Sequence, residues 1–530
     1  MSDPQNAPSG NGQVDESLAF TGRIAGGLRN DIARRRPFYV DDFVQGFHPK
    51  VVASILFLFF ACLANAVAFG GLTDIVTNGE IGTTEMIVAT AAGGVLFALL
   101  GGQPLTILGG TGPIVIFTGL LYASCQQLEL PFLATYAWTG IWSGLMLIVL
   151  AVTDASALMR FFTRFTDEIF AALIAVIFIV EAIQSMVDPF AAAVPGGYAA
   201  PLLGVVLSLG TFSVARTLKS AAQTRFLVGS VRNFLSDFGP AIAITAMTLV
   251  ALALPQIELP VPAIPENFGT TTGRPWTVDL WSLPTWAIFA SIGPGLMATI
   301  LLFLDQNITT RLVNAPGHKL RKGPGFHLDL LVVGLIVAVG SLFALPWIVA
   351  ATVHALNHVK SLATTEVVDE GGVQKEVIRS VRENRVSALS IHVLIGCSIL
   401  ILPLIQLIPM AVLFGLFLFM GFNTLAGNQL WDRFLLWFTD PQLYPGTHYV
   451  RRVPIQRIHV FTAIQVLALG ALWVLKSSAL GILFPVLIAL LVPLRLALPR
   501  WFQQSELDAL DADEEVDEVE SSMFAGDAHA

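Results

Sequence analysis

Apolar runs of about 18 residues or more recur along almost the whole chain. A run of that length reads as a membrane-spanning helix, because only a helix satisfies every backbone N–H and C=O within the segment. The runs are continuous and do not alternate with a period of two, so a membrane β-barrel is a poor fit. Of the 530 residues, 55% are hydrophobic and only 13% are charged. The mean hydropathy of +0.72 lies far from the soluble range. The sequence therefore predicts an all-α polytopic membrane protein.

Apolar segments fall at 50–75, 85–100, 105–123, 131–152, 166–187, 200–215, 237–254, 286–304, 328–344, 346–358, 388–403, 409–426, 459–475 and 479–497. That makes about fourteen spans, two of them short. Residues 1–30 are polar and the first apolar run begins near Val51, so no cleavable signal is expected and the first span serves as its own insertion signal. Basic residues cluster in alternate loops: Arg34 to Arg36; Arg160 and Arg164; Arg216, Lys219, Arg225 and Arg232; Lys319, Arg321 and Lys322; Arg379, Arg382 and Arg385; Arg451, Arg452 and Arg457. The opposite loops carry only Arg274 and Lys476. By the positive-inside rule both termini are expected on the cytoplasmic side of the cell membrane. The net charge of −9 mostly reflects the run ELDALDADEEVDEVE at 506–520, expected to be solvated and disordered. Cys62, Cys125 and Cys397 lie in or beside apolar segments and give no disulfide framework.

The two short spans are GGQPLTILGGTGPIVIFTGLL (101–121) and LPWIVAATVHALNHV (345–359). In each, a proline (Pro104, Pro346) opens an extended-looking segment, and a threonine (Thr111, Thr352) follows where it is expected to cap a helix starting within the membrane. Each is third in its half of the chain. An odd number of spans per half makes the halves run in opposite directions, and interrupted spans at matching places of inverted halves point to a transporter's central site. The plainer reading treats GGQP and GGTGP as helix-packing glycines and a kink.

These stretches, with RRPFYVDDF (35–43), RFTDEIFAALIAVIFIVEA (164–182), LDQNITTRLVN (304–314), KGPGFHLDLLVVG (322–334) and VLFGLFLFMG (412–421), extend over nearly all of residues 35–510. In them the chain resembles the bicarbonate transporter family of anion exchangers and sodium–bicarbonate cotransporters. No counterpart is expected of the large cytoplasmic domain that precedes the membrane part in animal members. The resemblance implies two inverted repeats of seven spans, core and gate domains, half-helices in spans 3 and 10, and a homodimer. It sets the expected divisions at 1–45 (a partly disordered cytoplasmic segment), 46–255 (first repeat), 256–285 (extracytoplasmic loop), 286–498 (second repeat) and 499–530 (acidic cytoplasmic tail). It also implies a substrate site between the helix starts at Thr111–Gly112 and Ala351–Thr352, beside Asp305 on the eighth span.

An ionisable residue within a span costs about 3 kcal/mol on insertion scales and usually serves function. Two facing helix N-termini each offer unpaired N–H groups and about half a positive charge, suited to a small oxyanion such as bicarbonate or carbonate. Asp305, with Thr309 one turn later, suits a hard cation held by oxygen. Cation and anion would then strengthen each other's binding in a low dielectric. The expected anion set is Thr111, Gly112, Ala351, Thr352 and His354; the expected sodium set is Asp305, Thr309, Thr111 and Ala350. In the family, chloride–bicarbonate exchangers have glutamate at the position of Asp305 and arginine at that of His354, whereas sodium-coupled members have aspartate and no such arginine. LDQNIT therefore resembles the sodium-coupled branch, His354 departs from both patterns, and borate exporters also carry aspartate. The plainer alternatives are that Asp305 pairs with Arg311, at a poor helical spacing, and that His354 is a neutral hydrogen-bonded histidine. Glu181 is expected to anchor the core.

The expected function is sodium-coupled secondary transport of bicarbonate or carbonate. The alternative is a sodium-independent inorganic anion exchanger (chloride/bicarbonate) or a borate exporter. A channel and a nucleobase or sulfate carrier are further alternatives. The spans show no paired histidines at metal spacing and no nucleophile–base pair, and His392 stands alone, so no enzyme is expected. No cofactor is expected beyond sodium as coupling ion, and the expected partners are the lipid bilayer and a second copy, with no nucleic acid.

Overall fold

The computed structural model describes residues 18–192, 197–263, 265, 268–370, 373–478 and 480–512. Among the described residues, ten helices are long and apolar enough to cross a membrane, from Pro49–Val76 and Thr83–Leu100 at one end to Ile455–Lys476 and Gly481–Arg500 at the other. Met410–Leu425 bends by 78° into Gln429–Leu435 and makes a broken eleventh. The shorter apolar helix Phe326–Ser341 is a twelfth. Two half-helices, Gly112–Gln127 and Thr352–Leu362, bring the described spans to the fourteen expected.

Each half-helix follows a two-residue strand, β1 (Leu108–Gly109) or β2 (Val349–Ala350). The strands pair antiparallel, Leu108 against Ala350 and Gly109 against Val349. Matching parts of the two halves thus run in opposite directions, as inverted repeats require. A second, unexpected pair, β3 (Ala363–Glu370) and β4 (Val373–Val381), follows the tenth span.

The chain forms two compact units. The larger comprises 1–159, 178–365 and 378–420. Its spans approach closely where side chains are absent. A Cβ on Gly144 would lie 2.6 Å from the Gly334 carbonyl oxygen, and one on Gly334 would lie 3.0 Å from that of Gly144, so the fourth and ninth spans touch backbone to backbone. Gly94 makes room for the ring of His392 in the same way.

The N-terminal segment of this unit is held by buried charge. Asp42 is fully buried and meets Arg35 and Arg385 at 3.2 Å and Lys322 at 2.7 Å. Glu383 meets Arg35 at 3.4 Å and accepts from the backbone N–H groups of Arg321 and Lys322. Charges this deep persist only when paired. That pairing holds the helices Gly26–Arg35 and Tyr39–Val44 within the expected 1–45 segment, of which residues 1–17 lie outside the described residues.

The smaller unit comprises 160–177, 366–377 and 421–530. Its centre is Arg433, fully buried, which donates to Glu168 at 2.5 Å and to Gln429 and Gln465. The start of the acidic run departs from expectation. Gln504–Asp511 forms a helix with Leu507 and Leu510 buried, and Asp511 pairs with Arg495 at 2.6 Å. Leucines three apart on one face outweigh the acidic composition there. The rest of the run, from residue 513, lies outside the described residues.

Candidate functional site

The two strands are built from residues that favour extended chain and close approach. Pro104 and Pro346 bias the preceding residue away from helix. Gly110 packs so that a Cβ there would meet Met86 and Phe69 at 3.1–3.2 Å. The Ala351 N–H donates to the Ile107 carbonyl at 2.9 Å and lengthens the β1–β2 seam. The strands pair antiparallel, so one half-helix follows each end of this seam.

The eighth-span helix, Ile292–Val313, touches both helix starts with residues one turn apart. The Thr111 hydroxyl donates to Asp305 at 2.7 Å, at the third-span start. At the tenth-span start, the hydroxyls of Thr309 and Thr352 lie 2.6 Å apart, and Thr309 also donates to the Ala350 carbonyl at 3.3 Å. Asp305 and Thr309 are four residues apart, about 6 Å along the helix axis, so one face of the eighth span serves both starts.

The threonines do not cap as expected. Thr111 is the N-cap of Gly112–Gln127, but its hydroxyl makes no capping bond and donates instead to Asp305. Thr352 is the first helical residue, Ala351 is the N-cap, and the Thr352 hydroxyl meets Thr309 instead. First-turn N–H groups have no partner within a helix. Neither threonine hydroxyl caps its helix, and both meet the eighth span. Pro113 removes one donor from the third-span start, while the tenth-span start has no proline.

Asp305, Thr111, Thr309 and Ala350 thus place a carboxylate, two hydroxyls and a carbonyl along one face of the eighth span, in two hydrogen-bonded groups. His354 is turned to the first span, Pro49–Val76, where its Nε2 meets the Ala61 carbonyl at 3.3 Å. Among the described residues, no three His, Cys, Asp or Glu side chains gather as a metal-binding group.

Several residues around the seam escape sequence reasoning. His392, expected to stand alone, faces the Leu108 carbonyl of β1 with Nε2 at 3.2 Å. His358 faces the Leu105 carbonyl at 2.9 Å and the Ser387 hydroxyl at 2.7 Å. Asp329 accepts from the backbone N–H groups of Gly102 and Gln103. Asn65 and Gln306 each bond the backbone just before a helix start. The signal available for these last two was a carboxamide inside an apolar run.

A strand seam from which two half-helices leave, at matching places of two inverted halves, is the arrangement expected at the centre of a helical membrane transporter. Residues 23–195 and 192–515 match the family described as "HCO3- transporter integral membrane domain". The chain belongs to that family. It is 38% identical to the Band 3 anion transport protein of Homo sapiens over 527 residues, covering 95% of this chain and 58% of the relative. It is 37% identical to anion exchange protein 3 of Mus musculus, covering 94% of this chain and 44% of the relative. The chain thus spans about half the length of such relatives. Among solved structures, the transmembrane domain of a cyanobacterium bicarbonate transporter, BicA, superposes with a TM-score of 0.58 at 16% identity, covering 83% of this chain and 97% of that one. The murine Solute Carrier 26 family member A9 anion transporter in its inward-facing state gives 0.55 at 14% identity, covering 85% and 68%. At these identities the likeness carries the fold alone.

Proposed function

We propose that the chain is a secondary active transporter that carries bicarbonate or carbonate by alternating access, exchanging it for a second small inorganic anion such as chloride. The observation that carries this reading is the pair of helix starts joined to the eighth span through Thr111 and Thr352, since the first-turn N–H groups of a helix have no partner within it and suit an oxyanion. Thr111, Gly112, Ala351 and Thr352 form the anion site, with His354 at its edge. The names of the relatives, an anion transport protein and an anion exchange protein, support exchange over sodium coupling.

Sodium coupling is kept as a second reading on one observation: Asp305 lies beside the Thr111 hydroxyl, on the same face as Thr309 and the Ala350 carbonyl, an all-oxygen set suited to a hard cation. Residues 46–255 and 286–498 are proposed as the two repeats, both termini as cytoplasmic, and the working assembly as a homodimer in the cell membrane. The test is uptake of labelled bicarbonate into proteoliposomes. Uptake driven by internal chloride without sodium is the expected result, a strict need for a sodium gradient favours the second reading, and no uptake under either condition overturns both.

A further inference from the structure

Each half-helix is preceded by one residue whose backbone is bonded by a side-chain carboxamide. Gly110 precedes the N-cap Thr111, and its carbonyl accepts from Asn65 Nδ2 at 3.2 Å. Ala350 precedes the N-cap Ala351, and its N–H donates to Gln306 Oε1 at 3.0 Å. Asn65 is on the first span and Gln306 on the eighth, which is the first span of the second half. Each carboxamide therefore serves the half-helix of its own half, at the same place relative to the helix start. The polarity is opposite: Asn65 acts as donor and Gln306 as acceptor.

Both side chains are buried, Gln306 fully, and the local chain accommodates them. A Cβ on Gly109 would lie 3.3 Å from Asn65 Nδ2, so glycine lets the carboxamide come close. Gln306 spends its other end on the Thr310 hydroxyl at 3.3 Å, which fixes the orientation of its amide. Neither residue belongs to the anion set above, and neither is needed to satisfy a helix end, since each acts one residue outside the N-cap.

We propose that Asn65 and Gln306 are positioning residues, a pair of carboxamide latches that separately fix the two helix starts and so set the gap into which the anion fits. This rests on the proposed site between the helix starts. It adds that the position of each start is set within its own half, while the Thr111–Asp305 bond and the β1–β2 seam join the halves.

The test uses Asn65→Leu and Gln306→Met, which keep approximate size and remove the polar atoms. Two measurements are made on the full-length protein: hydrogen–deuterium exchange in peptides spanning 108–116 and 348–356, and KM and Vmax for bicarbonate uptake. Asn65→Leu should speed exchange in the first peptide only, and Gln306→Met in the second only. Each should raise KM about fivefold, the equivalent of one hydrogen bond, with Vmax little changed. Gln306→Glu, which keeps an acceptor at the same reach, should restore protection of the second peptide. Unchanged exchange in the peptide of its own half overturns the latch for either residue, whether or not the protein carries bicarbonate. Altered exchange with an unchanged KM, in a protein that does carry bicarbonate, overturns the link to the anion gap. Absence of wild-type bicarbonate uptake counts against the proposed substrate alone, because the peptide-specific exchange still decides whether the latches exist.

Discussion

The contact between Thr111 and Asp305 gives the sharpest single perturbation. Thr111→Val keeps the shape of the side chain and removes only its hydroxyl. That hydroxyl donates at 2.7 Å to a carboxylate on a residue only 6% exposed, and it is the one hydrogen bond recorded on Asp305 among the described residues. A hydrogen bond to a charged group contributes about 1.5–3 kcal/mol, and a buried acceptor left without a donor bears its full desolvation cost. At about 1.4 kcal/mol per tenfold, the loss corresponds to a fall in transport efficiency of roughly 10- to 150-fold. The fall should appear in kcat/KM for bicarbonate in proteoliposomes, with gel filtration showing an unchanged folded peak. Thr111→Ser keeps the donor and should recover most of the activity. Wild-type kcat/KM in folded Thr111→Val, or an equal defect in Thr111→Ser, would refute the reasoning, because the hydroxyl would then have no role in holding the helix start.

Asp305→Asn removes the charge and keeps an acceptor for Thr111; sodium-independent exchange should survive it better than any sodium-driven component, and sodium-driven uptake that is fully retained would end the cation reading. Asp31, in the helix before the first span, has its carboxyl raised from 3.8 to about 6 by burial, opposed by Arg34 and by the amides of Leu328 and His327. The folded state therefore holds this proton more tightly, and the stability it gives is full below about 3.8 and lost as pH rises through about 6. Asp31→Asn should flatten the fall of Tm across that window, and an unchanged Tm profile would refute the assignment. Gly144→Ala forces a Cβ to within 2.6 Å of the Gly334 carbonyl and should cost about 1–3 kcal/mol, seen as a lower Tm. A cysteine placed at Gly79 should label from outside intact cells and one at Lys322 should not; reversed labelling would overturn the proposed orientation.

Span positions were legible because each apolar run must be satisfied by its own helix. The two interrupted spans were legible because Pro104 and Pro346 cannot continue a helical ladder from the preceding turn. The roles of Thr111 and Thr352 were not. Local pattern assigns a threonine at a helix start to its own turn. The carboxylate that accepts from Thr111 lies 194 residues away and no local signal announces it. Asn65 and Gln306 were hidden for the same reason, since a carboxamide in an apolar run does not reveal which backbone group it will meet. The start of the acidic run, up to Asp511, was misread because composition was weighed above the spacing of Leu507 and Leu510.

The β1–β2 seam also constrains the order in which the protein can be made. Leu108 and Gly109 leave the ribosome more than two hundred residues before Val349 and Ala350, the strand that completes their ladder. Until then, backbone groups at membrane depth lack their partners, and lipid offers none. Asn65 is already present and lies on an earlier span of the same half, so its bond to Gly110 can form during this wait. Ribosome stalling before residue 349 should therefore leave a first half that is inserted but without a finished site, held ready for a strand that arrives late in translation.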